Sequence, residues 1–469
     1  MDINGQHFLL LPIEIKVREL HAKLLLSCFA AEAGFSIILG QQNEIIDYLK
    51  YLPRGIYIDK SIAKVNIKNF QKNKKIGNRI VAWCEEGLTF RDMQSYLKER
   101  INIEAYNLLD LFFAWGNHQA ITIKNKITNN NDKIICTGNP RLDLLRDPYR
   151  NIFFPEAERI GAKYGSFILI NTNFSRYNHF FGRDYLIRIL EEKGLIQNEQ
   201  DKAFMAKWAE YLGTIYKYFL EMIRQLSESF PNQTIVVRPH PSENINQWKK
   251  ETQMLQNVEI IHEGNVISWI LASVMVIHNS CTTGVEAYIL EKPVISYCPV
   301  TSDIFDSELP NGISRRVFTE NDLIRLVRAI IKEKDDGITK LQNDTKAEEL
   351  IDKYITAKCG AFACEKIIAE LTSLSKSEYQ ITDNTGFRTE RIGKKIRSCA
   401  ISTKRIFRRI IKGGGPGYAY LQHKFPGLSL KEVQNICKSF QQVEHRFDNI
   451  KIKEVSGTKS CFWIHQAKA

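Results

Sequence analysis

Short apolar runs, mostly β-branched or aromatic, recur along the chain as far as Tyr297, each closed by a polar cluster and followed by an amphipathic stretch. Runs this short fit buried strands better than independent helices. They predict strands at residues 7–13, 35–39, 55–58, 80–83, 111–114 and 133–137, and a second series at 166–170, 234–237, 258–261, 274–277 and 292–297. Between and after them, helical spacing of apolar residues predicts helices at about 20–33, 200–230, 320–334 and 346–374. Strand alternating with helix is the pattern of parallel α/β sheets, so the fold class is α/β with Rossmann-like halves. In such sheets ligands gather at the carboxyl ends of the strands, where the polar clusters fall.

The two series are separated by Gly138 and Pro140, which break the strand before them, and by a polar, aromatic connection to about residue 165. A chain of 469 residues exceeds one ordinary domain. The expected division is an N-terminal Rossmann-like domain at 1–150, a second Rossmann-like domain at 151–375 and an appendage at 376–469. Hydrophobic content of 44% and charged content of 25% are those of a globular protein. Ten cysteines without a Cys-x-x-Cys pair suit buried thiols in a reducing cytoplasm, not a disulfide framework or zinc site. No signal peptide is legible, and the most apolar segment, residues 24–40, is too short for a membrane span.

Two clusters in the second half carry candidate chemistry. After the strand at 274–277 come Asn279, Ser280, Thr282, Thr283 and Gly284, then a helix containing Glu286. A helix N-terminus presents free N–H groups and a positive dipole end, a setting for phosphate. Gly284 would allow close backbone approach, and Glu286 would reach a ribose diol. Simple capping of the helix is the alternative role for these residues. After the strand at 234–237 come Arg238, Pro239, His240 and Pro241; the two prolines restrict the turn that holds His240, so its imidazole suits phosphate contact or proton donation, with a structural turn histidine as the alternative. Asn171 and Asn173 close the strand at 166–170 and offer further donor-binding amides, though asparagine is also an ordinary turn former.

In the first half, Glu14, Lys16, Arg18 and Glu19 form a charged loop after the first strand, read as acceptor-binding, with plain helix-start residues as the alternative. Glu85 and Glu86 follow the fourth strand and precede Gly87. A carboxylate at a sheet edge can serve as general base on a hydroxyl, while helix capping is the ordinary alternative.

Glu85-Glu86-Gly87, His240-Pro241 and the Ser280/Thr282/Thr283 cluster resemble, in order, the D/E-D/E-G, HP and Ser/Thr motifs of bacterial transferases that use CMP-activated ulosonic acids. The chain from 7 to 375 also resembles bacterial surface carbohydrate biosynthesis proteins, through Pro12–Leu20, Gly138–Asp143 and Asn171–Phe174. The resemblance implies a GT-B glycosyltransferase, with two Rossmann-like domains facing an interdomain cleft, that adds a Kdo- or sialic-acid-type sugar to a glycan or lipid-linked glycan acceptor. It implies Glu85 or Glu86 as base and His240, Ser280 and Thr282 as phosphate ligands, with no cofactor and no metal. Were configuration retained through a carboxylate adduct, Glu14 or Glu19 would join the candidates. A CDP-polyol phosphotransferase, a nucleotide-sugar epimerase and a non-catalytic glycan-assembly scaffold are the alternatives.

The net charge of +12 has one main source. Positions 388–412 hold ten lysines and arginines against one acid, Glu390, interleaved with isoleucines. A helix of this kind suits an anionic membrane surface, which predicts a cytoplasmic protein peripheral on the inner membrane face. A solvated helix packed on the other domains is the alternative. Nucleic acid is not an expected partner, because no aromatic platform or DNA-binding motif accompanies the charge.

Overall fold

The computed structural model describes residues 7–90, 93–127, 131–192, 196–335, 345–376, 422 and 424–467. They form two compact units, each built on one sheet. The first unit takes the described parts of 1–87, 100–152 and 355–469, and the second those of 88–99 and 153–354.

In the first unit, β1 (Phe8–Ile13), β2 (Ser36–Gln41), β3 (Ile56–Asp59), β4 (Arg79–Ala82), β5 (Leu111–Ala114) and β6 (Ile134–Cys136) pair in parallel in the order β2-β1-β3-β4-β5-β6. All six predicted strands of this half are present. Every residue of β1 is buried, as its unbroken apolar sequence requires for a central strand. Helix α1 (Lys16–Glu32) leads from β1 to β2, and the chain then crosses to β3 on the other side. The gap between β1 and β3 is therefore the switch point of this sheet.

The second unit contains β7 (Phe167–Asn171), β8 (Thr234–Arg238), β9 (Val258–Ile260), β10 (Met275–His278), β11 (Val294–Tyr297) and β12 (Arg315–Val317). All pair in parallel in the order β9-β8-β7-β10-β11-β12, the Rossmann arrangement, with the switch point between β7 and β10. Helix α3 (Glu199–Ser229) packs Leu212, Ile215, Phe219, Met222, Ile223 and Leu226 into the core with Ile168, Ile170 and Val237. Its N-terminus is set by Asn198, whose Oδ1 accepts the Asp201 N–H at 2.8 Å. The α/β architecture with two Rossmann-like parallel sheets is as the sequence predicts.

The domain boundaries need correction at the C-terminal end. Helix α5 (Ala363–Lys376) belongs to the first unit, not the second. The short helix α2 (Pro140–Asp143) supplies the reason: the Asp143 carboxylate accepts the N–H groups of Ala363 and Cys364 at 2.9 and 2.8 Å, capping α5. Gly138, at φ +80°, lets the chain at Thr356 pass; a Cβ there would lie 2.5 Å from the Thr356 carbonyl oxygen.

Nor is the appendage only a helical tail. Helix α6 (Leu430–Glu444) packs on α1, and the hairpin β13 (Ile450–Glu454) and β14 (Cys461–Gln466) extends the first sheet, β14 pairing antiparallel with β2. Gly40 makes the pairing possible, since a Cβ would stand 2.5 Å from the Ser460 carbonyl oxygen. Glu44 accepts the N–H groups of Lys459 and Ser460 and fastens the turn. The hairpin covers what would otherwise be a bare sheet edge. The basic stretch 388–412 lies outside the described residues. Among the described residues, no helix is long and apolar enough to cross a membrane.

Candidate functional site

The carboxyl edge of the first sheet is a network of paired charges. Glu14, directly after β1, binds Lys60, directly after β3, and accepts from Lys424 Nζ at 2.8 Å. Burial raises the Glu14 carboxyl, but the two lysines outweigh it and bring its pKa to about 2. Lys16 pairs with Glu432 at 2.7 Å, and Arg18 with Glu86 at 2.5 Å. The charged run predicted as a loop is largely the first turn of α1, which begins at Lys16.

Glu19 is 1% exposed, and this removes it from the acceptor-binding set. Its oxygens accept the N–H groups of Ile15, at 2.8 Å, and Glu14, at 3.3 Å, and pair with Lys23 at 2.6 Å. The carboxylate caps its own helix and holds the β1–α1 turn. Burial raises its pKa, and Lys23 and Lys60 more than compensate.

The two glutamates after β4 differ in environment. Burial pushes Glu86 up, but Arg18 and Arg100 pull its carboxyl well below the usual carboxylate range, making it a weak base. Glu85 is 5% exposed; its Oε1 accepts the Trp83 Nε1–H at 2.8 Å, while Oε2 is buried, accepts no hydrogen bond among the described residues and lies 3.8 Å from Arg141 Nη1. Cys84 to Gly87 is a tight turn, with the Gly87 N–H on the Cys84 carbonyl. Residues after β5 brace it: Trp115 Nε1 donates to the same carbonyl at 2.7 Å, and the Gln119 amide occupies the space where a Gly87 Cβ would sit. The Trp115–Gln119 stretch is thus a support for the Glu85 turn.

The carboxyl edge of the second sheet carries neutral donors beside the buried Arg238 and Glu243. At its switch point, β7 ends in Asn171, 3% exposed, whose Nδ2 makes no hydrogen bond among the described residues. Asn173 Nδ2 donates to the Ser280 carbonyl at 3.2 Å and ties the loop after β7 to the loop after β10. Helix α4 (Thr282–Ile289) starts there with Cys281 in the N-cap position and no side-chain cap on its first N–H groups. Uncapped N–H groups at a helix start favour an anion. Thr282 Oγ1 lies 3.4 Å from Thr89 Oγ1, and Thr283 Oγ1 donates to Cys281 Sγ.

On the neighbouring strand end, the Ser242 N–H donates to His240 Nδ1 at 3.1 Å, so the neutral ring carries its proton on Nε2. The turn is organised by Glu243, fully buried. Its Oε1 accepts from Thr172 Oγ1, the Phe174 N–H and the His240 N–H at 2.8, 2.9 and 3.2 Å, and its Oε2 from Trp248 Nε1 at 2.8 Å. Burial pushes the Glu243 carboxyl up although four donors favour its charged form. This residue joins the loops after β7 and β8, and the sequence reading passed over it. Its signal was position, next to Ser242 and three residues beyond His240 in a turn with N–H groups to satisfy.

No protein-family model and no curated protein sequence matches the chain. Solved structures do match. Staphylococcus aureus MnaA with UDP is 13% identical, covering 79% of this chain and 97% of its own at a TM-score of 0.47. The UDP-GlcNAc 2-epimerase of Methanocaldococcus jannaschii with UDP-GlcNAc and UDP is 13% identical, covering 78% and 99% at 0.46. The wall teichoic acid polymerase TagF is 10% identical, covering 78% and 88% at 0.47.

Three donor-binding expectations change. Arg238 is buried, stacks on Trp269 and donates to the carbonyls of Glu263 and Gly264, so it fastens the loop after β9. Asn279 Nδ2 donates to the Tyr297 carbonyl across the sheet. Gly284 is required by the fully buried His278, whose Nε2 would lie 2.2 Å from a Cβ at that position; the close approach is of a side chain in the chain itself. Ser280, at φ +47°, has an oxygen that accepts from Ser307 N and Asn311 Nδ2, leaving its own proton to donate. Glu286 lies in the second turn of α4, buried, and Pro241 follows His240 in the turn. Lys60, Asn139 and Arg141 also stand at the first edge and were not singled out. Each follows a strand, and Asn139 and Arg141 also lie in the Gly138–Asp143 stretch that carries the resemblance.

Proposed function

We propose that the protein is a nucleotide-sugar-dependent glycosyltransferase of bacterial surface polysaccharide synthesis, using a CMP-activated ulosonic acid. The observation that carries this reading is the uncapped start of α4 at the β7/β10 switch point, together with the buried Asn171 amide and the Nε2–H of His240 on the next strand. Neutral donors at a helix start suit a nucleotide phosphate, with Thr282, Thr283 and Ser280 supplying hydroxyls. Glu286 serves the ribose.

In the reaction, the acceptor hydroxyl oxygen bonds to the anomeric carbon and gives its proton to Glu85. The bond from the anomeric carbon to the phosphate oxygen breaks, and CMP leaves with the electron pair. His240 Nε2–H and the α4 N–H groups stabilise the charge on the departing phosphate, so the proposal includes no metal. Glu85 is the better base than Glu86 because Arg18 and Arg100 hold Glu86 as a stable anion. The acceptor is a glycan or lipid-linked glycan, brought to the chain at an anionic membrane through residues 388–412.

The test is calorimetric titration of the full chain with CMP, CDP, UMP and UDP, in EDTA, repeated with His240→Ala. Selective CMP binding that weakens roughly tenfold or more in the variant is expected. The similar structures include UDP-sugar epimerases and a teichoic acid polymerase, which is why uridine nucleotides and CDP are in the panel. Preference for UDP would replace the ulosonic donor by a UDP-sugar, preference for CDP would favour polyol phosphate transfer, and no binding would leave a glycan-assembly scaffold.

A further inference from the structure

A second set of groups stands at the first edge, apart from the paired charges. Glu85 Oε2 and Asn139 Nδ2 are both buried, Asn139 being 2% exposed, and neither forms a hydrogen bond among the described residues. Both residues touch Arg141. Glu85 Oε2 lies 3.8 Å from Arg141 Nη1, and Asn139 Oδ1 accepts the Arg141 backbone N–H at 3.0 Å. The Arg141 guanidinium in turn lies over the Trp115 ring, 5.8 Å from its centroid. Glu85, Trp115 and Asn139 follow β4, β5 and β6, three adjacent strands, so one sheet edge presents all of them.

Buried polar atoms are ordinarily paired. One acceptor and one donor held beside the same arginine are the complement of a hydroxyl-bearing ligand, which supplies a hydrogen to Glu85 Oε2 and a lone pair to Asn139 Nδ2. Glu85 and Arg141 offset each other's charge, which favours a neutral ligand over an anion. We infer that Glu85, Asn139 and Arg141 form a subsite for a neutral sugar ring with neighbouring hydroxyls, one on Glu85 and the next on Asn139. The subsite rests on the transferase reading for its direction: the hydroxyl on Glu85 is the one that attacks, and Asn139 selects which hydroxyl that is.

The experiment is saturation-transfer NMR of the full chain with the methyl glycosides of galactose, glucose and N-acetylglucosamine, alongside the CMP titration. Asn139→Ser keeps a capping oxygen for the Arg141 N–H and removes the Nδ2 donor; Glu85→Gln keeps the shape of the acceptor and changes its hydrogen bonding. At least one glycoside is expected to bind the natural chain and to bind both variants roughly fivefold more weakly, with CMP affinity within about twofold. Glycoside binding equal in the natural chain and both variants, or no glycoside binding, overturns the subsite. Glycoside binding lost in the variants of a chain that binds no nucleotide keeps the subsite and overturns only the transferase reading. Should Asn139→Ser unfold, Asn139→Asp also retains the capping oxygen without the donor and is subject to the same outcomes.

Discussion

The two sheets share a topology around their switch points, yet their carboxyl edges are chemically opposite. At the first, Glu14, Glu19 and Glu86 are bound to Lys60, Lys23 and Arg18, charge against charge. At the second, the candidate groups are amides, hydroxyls, an imidazole and a helix start without a side-chain cap, while the charged Arg238 and Glu243 bind carbonyls and donors of neighbouring loops. Charges compensated by one another hold the chain together and have little left for a ligand. The Asn171 Nδ2, which makes no hydrogen bond among the described residues, retains its capacity to meet a ligand. Counting charged residues at strand ends therefore does not tell which edge keeps groups available to a ligand.

The largest effect that would break this contrast is expected from Glu19. Glu19→Leu leaves the buried Lys23 ammonium without its ion-pair partner, with the Pro12 carbonyl still accepting from it, and should destabilise the chain by about 3–5 kcal/mol in urea unfolding. Glu19→Leu with Lys23→Met should recover most of that loss. A single variant as stable as the natural chain would mean that the pair does not hold the first edge.

Gly284→Ala comes next and probes the second edge. The new methyl must displace the His278 ring, at a cost of about 1–3 kcal/mol, and shift the start of α4. Nucleotide affinity should fall with stability, whereas an unchanged nucleotide titration would detach α4 from the phosphate site.

The smallest effect is a pH dependence in which the two edges act in opposite senses. Burial lowers the His278 pKa to about 3, so the stability of its neutral form is present above the unfolded value near 6.5 and is lost as pH falls below it. Asp59, at the end of β3, is raised by burial to about 6. Its contribution is full below the unfolded value near 3.9 and is lost as pH rises through about 6. Each amounts to about 1 kcal/mol at pH 5.5. Thermal unfolding between pH 4.5 and 7 should therefore lose stability on acidification more steeply in Asp59→Asn and less steeply in His278→Asn. Parallel profiles in the three proteins would refute the assignment.

Much of the scaffold was legible because buried parallel strands are local events. The apolar runs at β1 to β11 announce themselves within a few residues, and only β12, with two arginines in its three positions, escaped among the parallel strands. The hairpin of β13 and β14 did not announce itself. Its partner β2 lies more than 400 residues earlier, and what permits the pairing is Gly40, a residue whose role exists only once the two segments meet.

Within the candidate sites the same boundary holds. Sequence alone determined which residues follow which strands, because strand length and side-chain burial are set by neighbours along the chain; Glu85, His240 and Thr282 were placed at carboxyl edges by that reasoning. Tertiary structure decided what each polar group is paired with. Glu14 and Glu19, five residues apart, read alike in sequence, yet one meets lysines from two distant segments and the other folds back on its own helix start. A side chain's availability to a ligand depends on whether another part of the chain has already met its hydrogen-bonding and charge requirements, and in a protein interior such partners come from anywhere in the sequence.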